Sequence, residues 1–251
     1  MQRFFVENID GDIAEISGSE AHHLKDVLRK KVGDAVFLFD GKGNEYTAEI
    51  ERLRDKEIEL KILSKTQRNS EPKIKINLYQ SIPKLKKFDF IVEKSTELGV
   101  SKIIPVISER TVPELSLRAK AKQSRWQKIA LSAAKQCGRT VVPEISSITD
   151  FQSAVKSVCV GKNLSESVSL IPWECEQKTT LKQLLSDAKA SATHSLLAIN
   201  LFIGPEGGFS TAEIERACKC GIIPITLGKR ILRTETASIV VISNILYELE
   251  N

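Results

Sequence analysis

The sequence predicts a two-part α/β fold: a small β-rich domain followed by a larger domain built on a parallel sheet. Three observations predict it. Up to about residue 70, short strands of alternating polarity are separated by tight turns. From residue 73 onward, strands and helices alternate at short intervals, the pattern of a largely parallel sheet. Between the two, residues 66–72 (Thr-Gln-Arg-Asn-Ser-Glu-Pro) are polar and end in a proline, which reads as a linker. The boundaries drawn from this are 1–70 and 73–251.

The elements follow in order. Residues 3–6 are short and apolar, and residues 12–16 alternate in polarity. Ser17-Gly18-Ser19-Glu20 has the form of a capping box, and residues 21–30 follow it with helical spacing at Leu24, Val27 and Leu28. Residues 35–39 form an apolar run. A turn at Asp40-Gly41-Lys42-Gly43-Asn44 joins it to the alternating stretch 45–52, which makes a hairpin. Ile58, Leu60 and Ile62 mark a further strand, and many short strands with tight turns predict a small barrel. In the second part, strands are expected at 73–82, 102–107, 141–145, 167–173, 196–203 and 222–227. Helices are expected at 84–99, 118–137, 180–189, 210–220 and 234–249.

The chain has 251 residues, 41% of them hydrophobic, enough to bury a core without staples. Lys plus Arg number 37 and Asp plus Glu 32, a net charge of +5, which suits a polyanionic partner without requiring one. Five cysteines are present, none in a CxxC pair, so neither a disulfide framework nor a metal site has the right spacing. No HExxH occurs either, and no metal is expected. The N-terminal residues turn acidic too early for a secretory signal, and no apolar run approaches the roughly 20 residues of a membrane helix. A cytoplasmic location, away from membranes, is expected.

The most informative segment is Ile203-Gly204-Pro205-Glu206-Gly207-Gly208-Phe209-Ser210. It follows an apolar strand and precedes a helix that Ser210 and Glu213 can cap. Ligands of α/β sheets bind beyond the carboxyl ends of strands, where this loop falls. From the residues alone it is equally a plain strand-to-helix turn. It lacks GxGxxG, and the chain has no GxxxxGK[ST], which argues against dinucleotide or P-loop chemistry. A second loop runs from Leu227 through Gly228, Lys229, Arg230, Ile231, Leu232, Arg233, Thr234 and Glu235 to Ala237. It too lies between a strand and a helix, and the two loops together can form one pocket.

The pairing of "GPEGGFS" with "LGKRILRTETA" strongly resembles the SPOUT class of RNA methyltransferases. Within that class the chain resembles the RsmE family, which makes N3-methyluridine in 16S ribosomal RNA. Agreeing segments are His23-Leu24-x-x-Val27-Leu28-Arg29, Glu93-Lys94-x-x-Glu97-Leu98-Gly99, Glu109-Arg110, Arg125-Trp126, and Gln136-Cys137-Gly138-Arg139. The resemblance implies a trefoil-knotted methyltransferase domain behind a PUA-like N-terminal β-barrel, and a homodimer acting on the small ribosomal subunit. It implies that S-adenosylmethionine lies against Ile203, Gly204, Pro205, Gly207, Gly208, Leu227, Gly228, Ile231 and Leu232, with Trp173 and Glu174 nearby.

Uracil N3 must lose a proton before it attacks a methyl group. Arg233, permanently charged, is the expected stabiliser of the developing anion. Glu206 and Glu235 are the candidates for removing the proton or orienting Arg233. Expected RNA contacts are Arg29, Lys30 and Lys31; Lys84, Lys86 and Lys87; the run Arg118, Lys120, Lys122, Arg125 and Lys128; and Arg110 and Arg139. Two other readings stay open here: a related enzyme acting on transfer RNA, and a non-catalytic RNA-binding assembly factor.

Overall fold

The computed structural model describes residues 3–54, 57–67, 70–84, 87–111, 119–159, 167–190 and 198–250. The chain divides into two compact units, Met1–Glu71 with Ala134–Val142, and Pro72–Ala133 with Pro143–Asn251.

The first unit is a six-stranded sheet: β1 (Arg3–Phe5), β2 (Ile9–Asp10), β3 (Ile13–Ser17), β4 (Ala35–Phe39), β5 (Asn44–Leu53) and β6 (Glu57–Gln67). The strand order is β1-β4-β5-β6-β3-β2, antiparallel except for β1 on β4. The expected barrel is therefore a curled half-barrel, whose end strands β1 and β2 are not paired with each other among the described residues. Period-two patterning aims Phe4, Ile16, Leu38, Ile50, Ile58 and Leu60 at one core.

The helix expected from residue 21 is instead a short α1 (Gly18–His22) that widens into a π-helical turn over His23–Val27. Its expected capping box does not form. Ser17 makes no side-chain cap bond. The Glu20 carboxylate instead accepts two hydrogen bonds from Lys135 Nζ, at 2.6 and 2.7 Å. Strand β6 also runs to Gln67, into the stretch read as linker.

Arg139, one of the expected RNA contacts, lies inside this unit. It is 4% exposed, and its Nε and NH2 both donate to the Glu71 carboxylate. Its guanidinium is thus buried and paired within this unit.

The second unit holds a seven-stranded sheet whose pairings are all parallel. Its strands are β7 (Lys75–Ser81), β8 (Lys102–Ile107), β9 (Glu144–Ile145), β10 (Thr149–Asp150), β11 (Ser167–Pro172), β12 (Ala198–Ile203) and β13 (Ile223–Ile225). The order is β10-β8-β7-β12-β11-β13, with β9 also on β8. The helices are α2 (Lys87–Glu97), α3 (Ala119–Cys137), α4 (Phe151–Val158), α5 (Leu181–Ala190), α6 (Thr211–Lys219) and α7 (Thr234–Glu250). β10 and α4 were not anticipated, although Asp150 caps α4 through Ser153 N–H and Phe151, Ala154 and Val155 form its buried face.

β12 is central, and all but its first residue is buried, as expected of a parallel strand covered on both faces. Phe202 there stacks on Tyr79 with ring centroids 4.3 Å apart and meets Phe151 edge-on. Phe202→Ala should cost about 3–5 kcal/mol, the usual penalty for a large core cavity. Urea denaturation of the variant against the wild type measures it, and a change under about 1 kcal/mol would contradict this packing.

The five cysteines are free thiols. The fold brings two of them, Cys159 and Cys220, to 2.6 Å between sulfurs, a proximity their spacing does not reveal. Among the described residues no helix is long and apolar enough to cross a membrane.

Candidate functional site

The carboxyl ends of β11, β12 and β13 open onto one cavity of about 580 Å³ in the second unit. That volume falls within the roughly 300–1,000 Å³ of small-ligand pockets. β11 delivers Pro172, Trp173 and Glu174; β12 delivers Ile203, Gly204, Pro205, Glu206, Gly208 and Phe209. β13 delivers the segment from Thr226 to Thr234 with Ala237, and Lys87 enters from the start of α2.

Local sequence explains the loop after β12. Ser210 caps α6 by accepting from Glu213 N–H, and Glu213 accepts in return from Ser210 N–H, so the predicted capping box is complete. Glu109 ties into it: its N–H donates to Glu213, and its carboxylate accepts from the Ser210 hydroxyl. The loop then folds tightly on itself. A Cβ on Gly204 would lie 3.3 Å from both the carbonyl carbon and Cα of Gly208. Gly208 is left-handed, with φ +67°, and a Cβ there would meet the Glu174 carboxylate at 3.0 Å. Bare backbone thus lines one wall, and Ile203, Leu227 and Leu232 give apolar surface. Ile231 stands 87% exposed at the rim.

Of the residues expected to hold a cofactor, all but Gly207 line this cavity. Gly207 faces the other way: its missing Cβ points at Arg110, whose guanidinium donates to the Gly207 carbonyl. Arg233 lies at the rim, exposed, and no carboxylate pairs with it among the described residues. Glu206 does not orient Arg233. It accepts from Lys87 Nζ at 2.9 Å and from Lys84 N–H at 3.1 Å. Glu235 lies outside the lining, with a buried carboxylate oxygen 4.0 Å from Lys87 Nζ. Burial pushes the Glu206 carboxyl up, but the Lys87 hydrogen bond and backbone donors outweigh it and hold it below its ordinary value.

The expected RNA-binding cations divide. Lys87 is in the cavity wall, paired with Glu206. Arg110 is exposed beside the loop, and the Lys84 side chain is exposed. Arg125 pairs with Asp89 of α2. In the first unit, Arg29 and Lys31 are exposed, and Lys30 lies 3.9 Å from Asp34. Lys86 and Arg118 lie outside the described residues.

Sequence reading passed over Gln80 and Ser238, both fully buried just beneath the cavity. Gln80 Nε2 donates to Thr234 Oγ1 at 3.0 Å, and Thr234 Oγ1 donates to the Gly204 carbonyl at 2.6 Å. The Ser238 hydroxyl donates to Gln80 Oε1 at 2.6 Å. The signal was a polar residue at the end of an apolar strand, visible in Leu78-Tyr79-Gln80-Ser81.

The parallel sheet with a cavity at its carboxyl ends, and the curled β-sheet of the first unit, correspond to two matched domains. Residues 69–246 match the model of the RNA methyltransferase domain, and residues 16–63 that of the RNA methyltransferase PUA domain. The ribosomal RNA small subunit methyltransferase E of Bacillus subtilis is 32% identical over 100% of this chain and 98% of its own. The crystal structure of the Neisseria gonorrhoeae protein of that name, bound to S-adenosyl methionine, is 35% identical. It covers 98% of this chain and 96% of its own, with a TM-score of 0.82. A methyltransferase from Legionella pneumophila, solved with bound SAM, is 32% identical over 97% and 96%, with a TM-score of 0.83. This chain belongs to the ribosomal RNA small subunit methyltransferase E family.

Proposed function

We propose that this protein transfers the methyl group of S-adenosylmethionine to N3 of a uridine in 16S ribosomal RNA, in the assembled small subunit. The observation that carries the reading is the cavity itself: a bare-backbone wall, apolar sides, and at the mouth an Arg233 that pairs with no carboxylate among the described residues. These residues fit the cofactor. Ile203, Leu227 and Leu232 suit the adenine, and the Gly204–Gly208 turn admits close approach of the ligand to the backbone. When bound, the cofactor supplies a methyl group already electrophilic on its sulfonium.

The protein's share is then to position the uracil ring and stabilise charge. As N3 gives up its proton to solvent water, negative charge spreads onto the flanking ring oxygens. Arg233, with no carboxylate paired to it among the described residues, is placed to receive one of them. Glu206 acts on Lys87 rather than on the proton: a carboxyl whose pKa is lowered is a poor base near neutrality. A depressed carboxyl pKa stabilises the fold above its unfolded value, and that contribution is lost as pH falls through the folded one. The Glu206–Lys87 pair therefore persists through neutral pH and opens only in acid. Glu206→Gln should leave the midpoint of the kcat/KM profile unmoved between about pH 6 and 9. Loss of a titration in that window would make Glu206 the base after all.

The protein is taken to work in the cytoplasm as a homodimer, with the trefoil knot of its class shaping the loops around the cofactor. The test is nucleoside mass spectrometry of small subunits that lack native uridine methylation, incubated with the protein and S-adenosylmethionine. New N3-methyluridine supports the reading. Cofactor binding without that product would direct attention to transfer RNA.

A further inference from the structure

We infer that Gln80, Thr234 and Ser238 form a buried, one-way hydrogen-bond relay that sets the cofactor loop by gripping the Gly204 carbonyl. The three side chains come from β7 and from the first two turns of α7, while Gly204 comes from the loop after β12. Their exposures are 0%, 5% and 0%, so water does not substitute for any bond they lose.

The donor inventory fixes the direction. One hydrogen of the Gln80 amide goes to the Ser81 carbonyl at 2.9 Å and the other to Thr234 Oγ1. The single Ser238 hydrogen is shared between Gln80 Oε1 at 2.6 Å and the Thr234 carbonyl at 2.9 Å. Thr234 Oγ1 has a single hydrogen. With one lone pair occupied by Gln80, that hydrogen is left for Gly204. Gly204 and Thr234 both line the cavity, and Arg233 is the neighbour of Thr234. One bond thus couples the wall that receives the cofactor to the helix start that presents the arginine. These are positioning residues, which act through the Gly204 carbonyl. Their role rests on the reading that the cavity holds S-adenosylmethionine.

The test is calorimetric titration of S-adenosylmethionine into the full-length protein and three variants, with melting curves alongside. Wild-type binding tests the underlying reading by itself. Thr234→Val keeps the shape and removes the hydroxyl, and should weaken binding about tenfold or more. Thr234→Ser keeps the hydroxyl and should bind within about threefold of wild type. Gln80→Glu leaves Thr234 intact but, buried and protonated, has one hydrogen where the amide gave two, so the Ser81 carbonyl and Thr234 Oγ1 can no longer both be served. It should weaken binding as Thr234→Val does. If wild type binds and Thr234→Val binds equally well, the relay does not set the loop. If Val and Ser are equally weak, the methyl packing matters and the hydrogen bond does not, which also overturns the proposal. Should Thr234→Val fail to fold, the Gln80→Glu and Thr234→Ser pair decides.

Discussion

Arg233→Ala should reduce methyl transfer by roughly 10²–10³-fold, the usual cost of removing one preorganised donor to a developing anion. The physical reason is the charge arrangement around the cavity. Lys87 is already neutralised by Glu206, with Glu235 close by, while Arg233 has no such partner among the described residues. An arginine that spends no charge on the protein has all of it for the substrate. Cofactor affinity should change by less than about tenfold, or 1.4 kcal/mol, because the walls of the cavity are left intact. Single-turnover transfer of labelled methyl groups, together with calorimetric cofactor binding, separates the two effects. Arg233→Lys should recover only part of the rate, since a point charge lacks the guanidinium fork. Turnover unchanged in Arg233→Ala would remove this residue from the mechanism.

The site's outline could be read in the sequence because its chemistry is local. The Ser210–Glu213 capping box needs only residues three apart, and it forms as the pattern predicts. The two strand-end loops are likewise contiguous in the chain, and the fold joins them in one cavity. Where a partner lies far away, local pattern misleads. Ser17 and Glu20 have the same spacing, but Glu20 finds Lys135, 115 residues on, and the cap is lost. Arg139, beside a glycine in a basic stretch, had the look of a phosphate contact until the fold supplied Glu71, 68 residues earlier, as its buried partner. Gln80 and Ser238 are 158 residues apart, and neither belongs to a recognisable motif. Only the parallel sheet brings them under the same loop. Helix α4 is a different case: its Asp150 cap and buried Phe151, Ala154 and Val155 are contiguous in the chain, but the helix is only eight residues long.

The second large effect is expected at Gly204. A Cβ there meets Gly208 main-chain atoms and the Phe209 ring, all at 3.3 Å, tighter than ordinary carbon contacts. Main chain cannot rotate away as the tip of a side chain can, so the loop itself must open. The branched side chain of Gly204→Val adds two methyl groups to that contact and strains the carbonyl that Thr234 holds at 2.6 Å. Cofactor affinity should fall by about a hundredfold or more, equivalent to roughly 2.7 kcal/mol. Gly208→Ala should be milder. Its added methyl meets the Glu174 carboxylate, the movable end of an exposed side chain, so what remains is left-handed strain of about 1–2 kcal/mol. Gly11→Ala, in the first unit, is the control: it is also left-handed, at φ +57°, but its Cβ meets nothing within 4 Å. That variant should lower stability alone and leave cofactor binding as it is. Calorimetric titration and thermal melts of the three variants check the order. If Gly204→Val binds as the wild type does, the turn after β12 is not the wall the cofactor rests on, and the ligand must sit toward the β13 side of the cavity.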